Sequence, residues 1–169
     1  LMYNNRIADV VADMGYVSIL CEKRNDMFTG SEVPISPNAV FRAAGSPLIV
    51  LPRNRELSDD VAFRFPHQPI PPEVYASYIA KIDGEAVILG YDFEHIGEHI
   101  WADKGIFEFW QGLPAALEKY ENVIPSTPTD MAARFREADC PTVDIHDLST
   151  SSWADAGRDT FGWLGNPTQ

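Results

Sequence analysis

Two carboxylates stand where buried strands should end. Tyr16-Val17-Ser18-Ile19-Leu20-Cys21 is a short β-branched and apolar run closed by the charged cluster Glu22-Lys23-Arg24, and Ala86-Val87-Ile88-Leu89-Gly90-Tyr91 is a second run followed at once by Asp92. Runs of this kind read as strands buried on both faces of a parallel sheet. In parallel sheets and barrels the functional groups gather at the C-terminal ends of the strands, so Glu22 and Asp92 would face one rim. Two carboxylates on one rim suit acid/base work. Retaining cleavage of a glycosidic bond, for example, needs such a pair about 5–5.5 Å apart, one attacking and one donating a proton. The competing reading is that each is a solvated loop acid, the ordinary fate of an acid in a chain that has 25 Asp and Glu.

The stretch Asp92-Phe93-Glu94-His95-Ile96-Gly97-Glu98-His99-Ile100-Trp101 is the densest in functional groups. His95-x-x-Glu98-His99 fits the H-x-x-E-H pattern of a zinc hydrolase, in which one helix face presents two His to the metal beside a Glu base. That reading requires a helix through Gly97 directly after a strand and a third protein ligand, so hydrogen-bonded loop histidines and no metal are the expectation. Of the four tryptophans, Trp110 shares a helical stripe with Ile106 and Leu113 and belongs to a core. Trp101 and Trp153, flanked by polar and small residues, offer flat faces to a wet, partly apolar ligand such as a sugar ring. Cys21 has no identifiable base near it, and a strand-end cysteine is more often buried and inert. No G-x-S-x-G, Walker A or dinucleotide fingerprint is present, and no cofactor is implied.

These groups need elements to position them. Ile7, Val10, Val11 and Met14 recur at helical spacing after a cap at Asn4 or Asn5, and Gly15 ends the run. Residues 26–46 read as a long loop with one helical turn at Asn38 to Arg42, and Leu48 to Leu51 as a strand between prolines. Ser58 is a candidate cap for a turn through Phe63. A helix carries Tyr75, Tyr78, Ile79 and Ile82 behind Pro72, and another carries Ile106, Phe109, Trp110 and Leu113, with Pro114 starting a new segment. Asn122 to Ile124 reads as a strand, Thr129 to Glu137 as a helix, and Trp153 to Leu164 as a helix weakened by glycine. Helices alternating with apolar strands indicate an α/β fold with largely parallel strands. The charge, 13 − 25 = −12, repels phosphate backbones, so neither nucleic acid nor an anionic membrane is an expected partner. The apolar runs are far shorter than the roughly 20 residues of a membrane span. Two widely spaced cysteines suit a reduced, cytoplasmic setting. A first residue of Leu1, without a signal-type segment, suggests a piece of something longer.

The segment YDFEHIGEHIWADKGIFEFWQGLP from Tyr91 resembles the strand-end motif Asp-Tyr-Glu-Thr-Phe-Gly-Glu-His and following Gly-Ile-Phe helix of α-amylase-type members of glycoside hydrolase family 57. Four further stretches agree in order: LMYNNRIADVVADMGY from Leu1, SPNAVFR from Ser36, RELSDDVAFRF from Arg55 and SWADAGRDTFGWLGN from Ser152. The resemblance implies a retaining hydrolase of α-glucans (starch, glycogen, maltooligosaccharides) on a partial (β/α)₇-type barrel with a helical C-terminal segment. The barrel part would span residues 1–148 and the helical segment of the same domain 149–169. It implies Glu22 as nucleophile, Asp92 as acid/base, and Glu94, Glu98, His99, Trp101 and Trp153 around the substrate. Cys21 and Lys23 replace the family's usual Thr and Gly, and His95 and Ile96 its usual Thr and Phe. The family's early strands should precede Leu1, so the N-terminal part of the catalytic domain is expected as a missing partner. A carbohydrate-binding relative without turnover is the alternative, and a zinc hydrolase using His95, Glu98 and His99 a more distant one.

Overall fold

The computed structural model describes residues 1–23, 35–154 and 157–165. In chain order the regular elements are β1 (Met2–Tyr3), α1 (Asn5–Asp13), β2 (Ser18–Cys21), β3 (Phe41–Ala43), β4 (Ile49–Pro52), α2 (Arg55–Asp59), α3 (Pro72–Ala80), α4 (Ile106–Leu117), α5 (Pro128–Phe135), β5 (Thr142–Val143), β6 (Ser151–Ser152) and α6 (Phe161–Leu164). They form two compact units, one of residues 1–53 with 126–169 and one of residues 54–125.

The first unit holds a four-stranded sheet in the order β2-β4-β3-β5. β2 runs parallel to β4 and β3 parallel to β5, while β3 and β4 are antiparallel. The fold is therefore mixed α/β with a partly parallel sheet, and no barrel is formed among the described residues. β4 is buried along its length because it is central, which is why its sequence is continuously apolar. β1 and β6 make a separate antiparallel ribbon. Asn4 caps α1, its side chain accepting from Ile7 N–H at 2.7 Å. The stripe expected to be α1's buried face is turned outward at Val10 and Met14, while Ala8 is buried and Val11 and Ala12 pack on the core. Small side chains let the helix lie close to the sheet. Of the segment expected as a helical turn, Pro37 and Asn38 do turn but Phe41 and Arg42 begin β3, where Arg42 spends its guanidinium on the carbonyls of Phe135, Arg136 and Ala138. The Arg24 end of the charged cluster and most of the expected loop lie outside the described residues. α5 is closed by a reciprocal cap between Thr127 and Asp130, and hydrogen bonding to Thr127 holds the Asp130 carboxyl below its ordinary range. Among the described residues at the C-terminal end the helix is confined to α6, after the strand β6.

The second unit is helical. α2 is capped by Asn54 rather than Ser58, whose hydroxyl donates back to the Asn54 carbonyl at 2.6 Å, and it continues into a π-helical turn over Asp60–Arg64. α3 and α4 pack through Tyr75, Phe109 and Leu113. Tyr75 is fully buried, its hydroxyl donating to the Leu57 carbonyl at 2.8 Å, and burial pushes its phenol upward so that it stays a donor. α4 runs on through Pro114 instead of restarting there. Ala86 to Tyr91, expected as the strongest strand, is not one: Val87, Leu89 and Tyr91 pack against the helical core, and Asn54 N–H reaches Ile88 carbonyl at 2.8 Å as a single bridge. Asn122 to Ile124 is likewise irregular, with Ile124 exposed.

Candidate active site

In the first unit the parallel register sets Cys21 opposite Pro52, so the next residues of the two chains, Glu22 and Arg53, emerge side by side at the strands' C-terminal ends. Arg53 N–H donates to the Cys21 carbonyl at 2.8 Å, and its Nη1 lies 3.3 Å from Glu22 Oε2. Both side chains are almost fully buried, at 5% and 2% exposure. Arg158 approaches the other carboxylate oxygen, with Nε 3.6 Å from Oε1, and donates from Nη1 to the Lys23 carbonyl at 2.6 Å. A buried carboxylate is tolerable only when paired in this way, and two guanidinium groups lie against it. The Arg53 guanidinium also lies 6.0 Å from the centroid of the half-buried Trp153 ring, within reach of a cation–π attraction. Trp163 Nε1 donates to Ser152 Oγ at 2.7 Å in the adjoining ribbon. Burial, and after it the charge of Glu22, pushes the Cys21 thiol up to about 12. Cys21 therefore remains a thiol at neutral pH and is no nucleophile. A carboxylate at a strand end, fixed by contacts with guanidinium groups, can attack an electrophilic carbon or stabilise a cation facing it.

In the second unit the expected site segment is a knot of turns. His95 N–H donates to the Asp92 carbonyl at 3.1 Å, closing a 3₁₀ turn over Phe93–His95. Gly97 N–H then reaches Ile100 carbonyl at 2.9 Å, Ile100 N–H reaches His95 carbonyl at 3.1 Å, and His99 N–H reaches Glu94 carbonyl at 3.0 Å. His95 is buried, with Nδ1 3.1 Å from the Asp92 carbonyl and its ring edge-on to Phe63 and His99 at 5.1 and 5.2 Å. Asp92, Glu94, Glu98, His99 and Trp101 are all exposed on this segment, Trp101 at 70%. They are presented together on one short loop. The helix that would align His95 and His99 on a zinc ion is absent, and among the described residues no cluster of three His, Cys, Asp or Glu could hold a metal ion.

Gly97 makes the knot possible. Its φ is +96°, and a Cβ there would lie 2.9 Å from Phe107 Cζ. Phe107 is 42% exposed and can swing aside, so the backbone sets the cost. Gly97→Ala is expected to destabilise by about 1–2 kcal/mol, read as a lowered melting temperature, and to loosen the presentation of Asp92 and Trp101.

Of the expected site residues, Glu22 and Trp153 thus fall in the first unit and Asp92, Glu94, Glu98, His99 and Trp101 in the second. Arg53 and Arg158 were not anticipated. The first has a trace in the sequence, a cation directly after the second apolar strand. The second lies within the SWADAGRDTFGWLGN stretch, but 136 positions separate it from Glu22 and nothing local ties the two together.

A sequence profile of glycosyl hydrolase family 57 matches residues 1–145. A protein of Methanocaldococcus jannaschii described as "Putative alpha-amylase" is 34% identical over 174 residues, covering the whole of this chain and 36% of that protein. The chain thus spans about a third of the length of this curated relative. No solved structure matches the chain significantly. The chain belongs to glycosyl hydrolase family 57.

Proposed function

We propose that this family 57 chain carries the catalytic residues of an α-amylase-like hydrolase acting with retention on α-glucans such as starch, glycogen and maltooligosaccharides. Glu22 is the nucleophile and Asp92 the acid/base. The observation that carries the reading is the buried Glu22 carboxylate, gripped by Arg53 and Arg158 at the end of a parallel strand. Glu94, Glu98, His99 and Trp101, exposed beside Asp92, and Trp153 beside Arg53 contact the sugar. Glu22 attacks the anomeric carbon while Asp92 protonates the departing glycosidic oxygen. Asp92, then a carboxylate, takes a proton from water as that water displaces Glu22. The mechanism calls for no cofactor. The share of the relative that the chain spans supports a further proposal: it acts within a larger catalytic domain that closes a (β/α)₇-type barrel. The two widely spaced cysteines, Cys21 and Cys140, favour a reducing, cytoplasmic setting.

A second reading has its own support. Glu22 is only 2% exposed, and guanidinium groups approach both of its oxygens, an arrangement that also suits a carbohydrate-binding relative without turnover. Proton NMR of maltooligosaccharide digestion by the full-length protein separates the two. The expected result is initial release of the α-anomer; β-anomer first would overturn retention, and glucan binding without products would establish the second reading.

A further inference from the structure

We infer that Arg158 is a positioning residue for the Glu22 carboxylate, held in a backbone conformation that side chains avoid so that one guanidinium can grip both Glu22 and the chain just beyond it. The inference rests on the reading of Glu22 as nucleophile. Arg158 adopts φ +54°, and it is the one non-glycine residue with positive φ among those described. Left-handed backbone costs an L-residue free energy that glycine does not incur, and such strain persists only where the surroundings enforce it.

The contacts of Arg158 enforce it here. The Arg158 carbonyl accepts from Ser152 N–H at 2.9 Å, tying the turn to β6. Its Nη1 donates to the Lys23 carbonyl at 2.6 Å, and its Nε lies 3.6 Å from Glu22 Oε1. The planar fork thus spans from the carboxylate to the backbone one residue later, a reach that the point charge of lysine cannot reproduce.

The consequence for Glu22 is angular. The terminal torsion of a glutamate is broad and two-fold, so the plane of its carboxylate is set by the groups that contact it. Arg53 holds Oε2 from the residue after β4, and Arg158 holds Oε1 from the opposite end of the sequence. Two grips on two oxygens fix the plane from which a lone pair must attack. Misplacement of about 1 Å in such a group costs on the order of 10²-fold in rate.

The test compares Arg158→Gly with Arg158→Ala in the full-length protein. Both should lose about 10²-fold in kcat with KM changed less than about threefold, because both lack the guanidinium. Arg158→Gly should nonetheless melt higher than Arg158→Ala, because glycine accepts the left-handed backbone. Millimolar guanidinium should restore part of kcat in both variants and leave the parent unchanged. Activity that follows the melting order, or variants within about threefold of the parent, would overturn the inference. Melting of Glu22→Gln, Arg158→Gly and the double variant reads the grip without turnover. Non-additive shifts support it and additive shifts overturn it. A parent that cleaves no α-glucan but shows the non-additive shifts would sink the nucleophile reading while leaving the grip in place.

Discussion

Glu22→Gln is expected to lower α-glucan turnover by roughly 10⁴-fold in the full-length protein, because the amide cannot form the glycosyl ester. The substitution keeps the shape of the side chain but not its charge, and the structure makes that difference expensive. Arg53 is 5% exposed and would face a neutral group. Removing one partner of a buried pair costs about 3 kcal/mol, which lowers the melting temperature by roughly 6–12 °C. Lost activity alone would then be ambiguous. Glu22→Ala with added azide resolves it: azide can enter the vacated space and attack the anomeric carbon from the same side, giving a β-glycosyl azide that unfolding cannot produce. Full turnover in Glu22→Gln would remove Glu22 from the mechanism, whatever the melting curve did.

The same carboxylate shows how far the sequence reaches. Ser18–Cys21 and Ile49–Pro52 are legible because both are short apolar runs bounded by charge or proline, and Glu22 was therefore placed correctly at a strand end. Ala86 to Tyr91 has the same composition and is not a strand. Its Val87, Leu89 and Tyr91 find apolar partners on helices, and composition reports the need for burial without saying what covers the residue. β3 is three residues long, too short to carry a period. In α1 the large side chains traced a stripe, yet Ala8 is the buried residue, since close approach to a sheet favours small groups over large ones. For the site, the carboxylates, the glycine turn and the aromatic residues are local features and can be read locally. The arginines that hold Glu22 cannot: one depends on the register of two strands, the other on a left-handed backbone at a residue type that does not announce it.

Asp92→Asn should behave differently from any change at Glu22. The Asp92 side chain is exposed, and its backbone carbonyl, not its carboxylate, receives His95 N–H. An exposed carboxylate outside the loop's hydrogen-bond framework can be altered within about 0.5 kcal/mol of stability. The loss is therefore expected to be chemical. On a natural α-glucan the departing sugar hydroxyl must be protonated, and removing the proton donor should cost roughly 10²–10⁴-fold in kcat/KM. On α-glucosyl fluoride the leaving group departs well without a proton, so formation of the glycosyl-enzyme should fall by less than about tenfold. The ratio between the two substrates is the measurement that matters, because it cancels any fraction of inactive protein and any general weakening of sugar binding. Equal losses on both would mean that Asp92 orients the sugar or the loop without donating the proton. The acid would then be sought among Glu94 and Glu98, the other carboxylates presented on the same exposed turns.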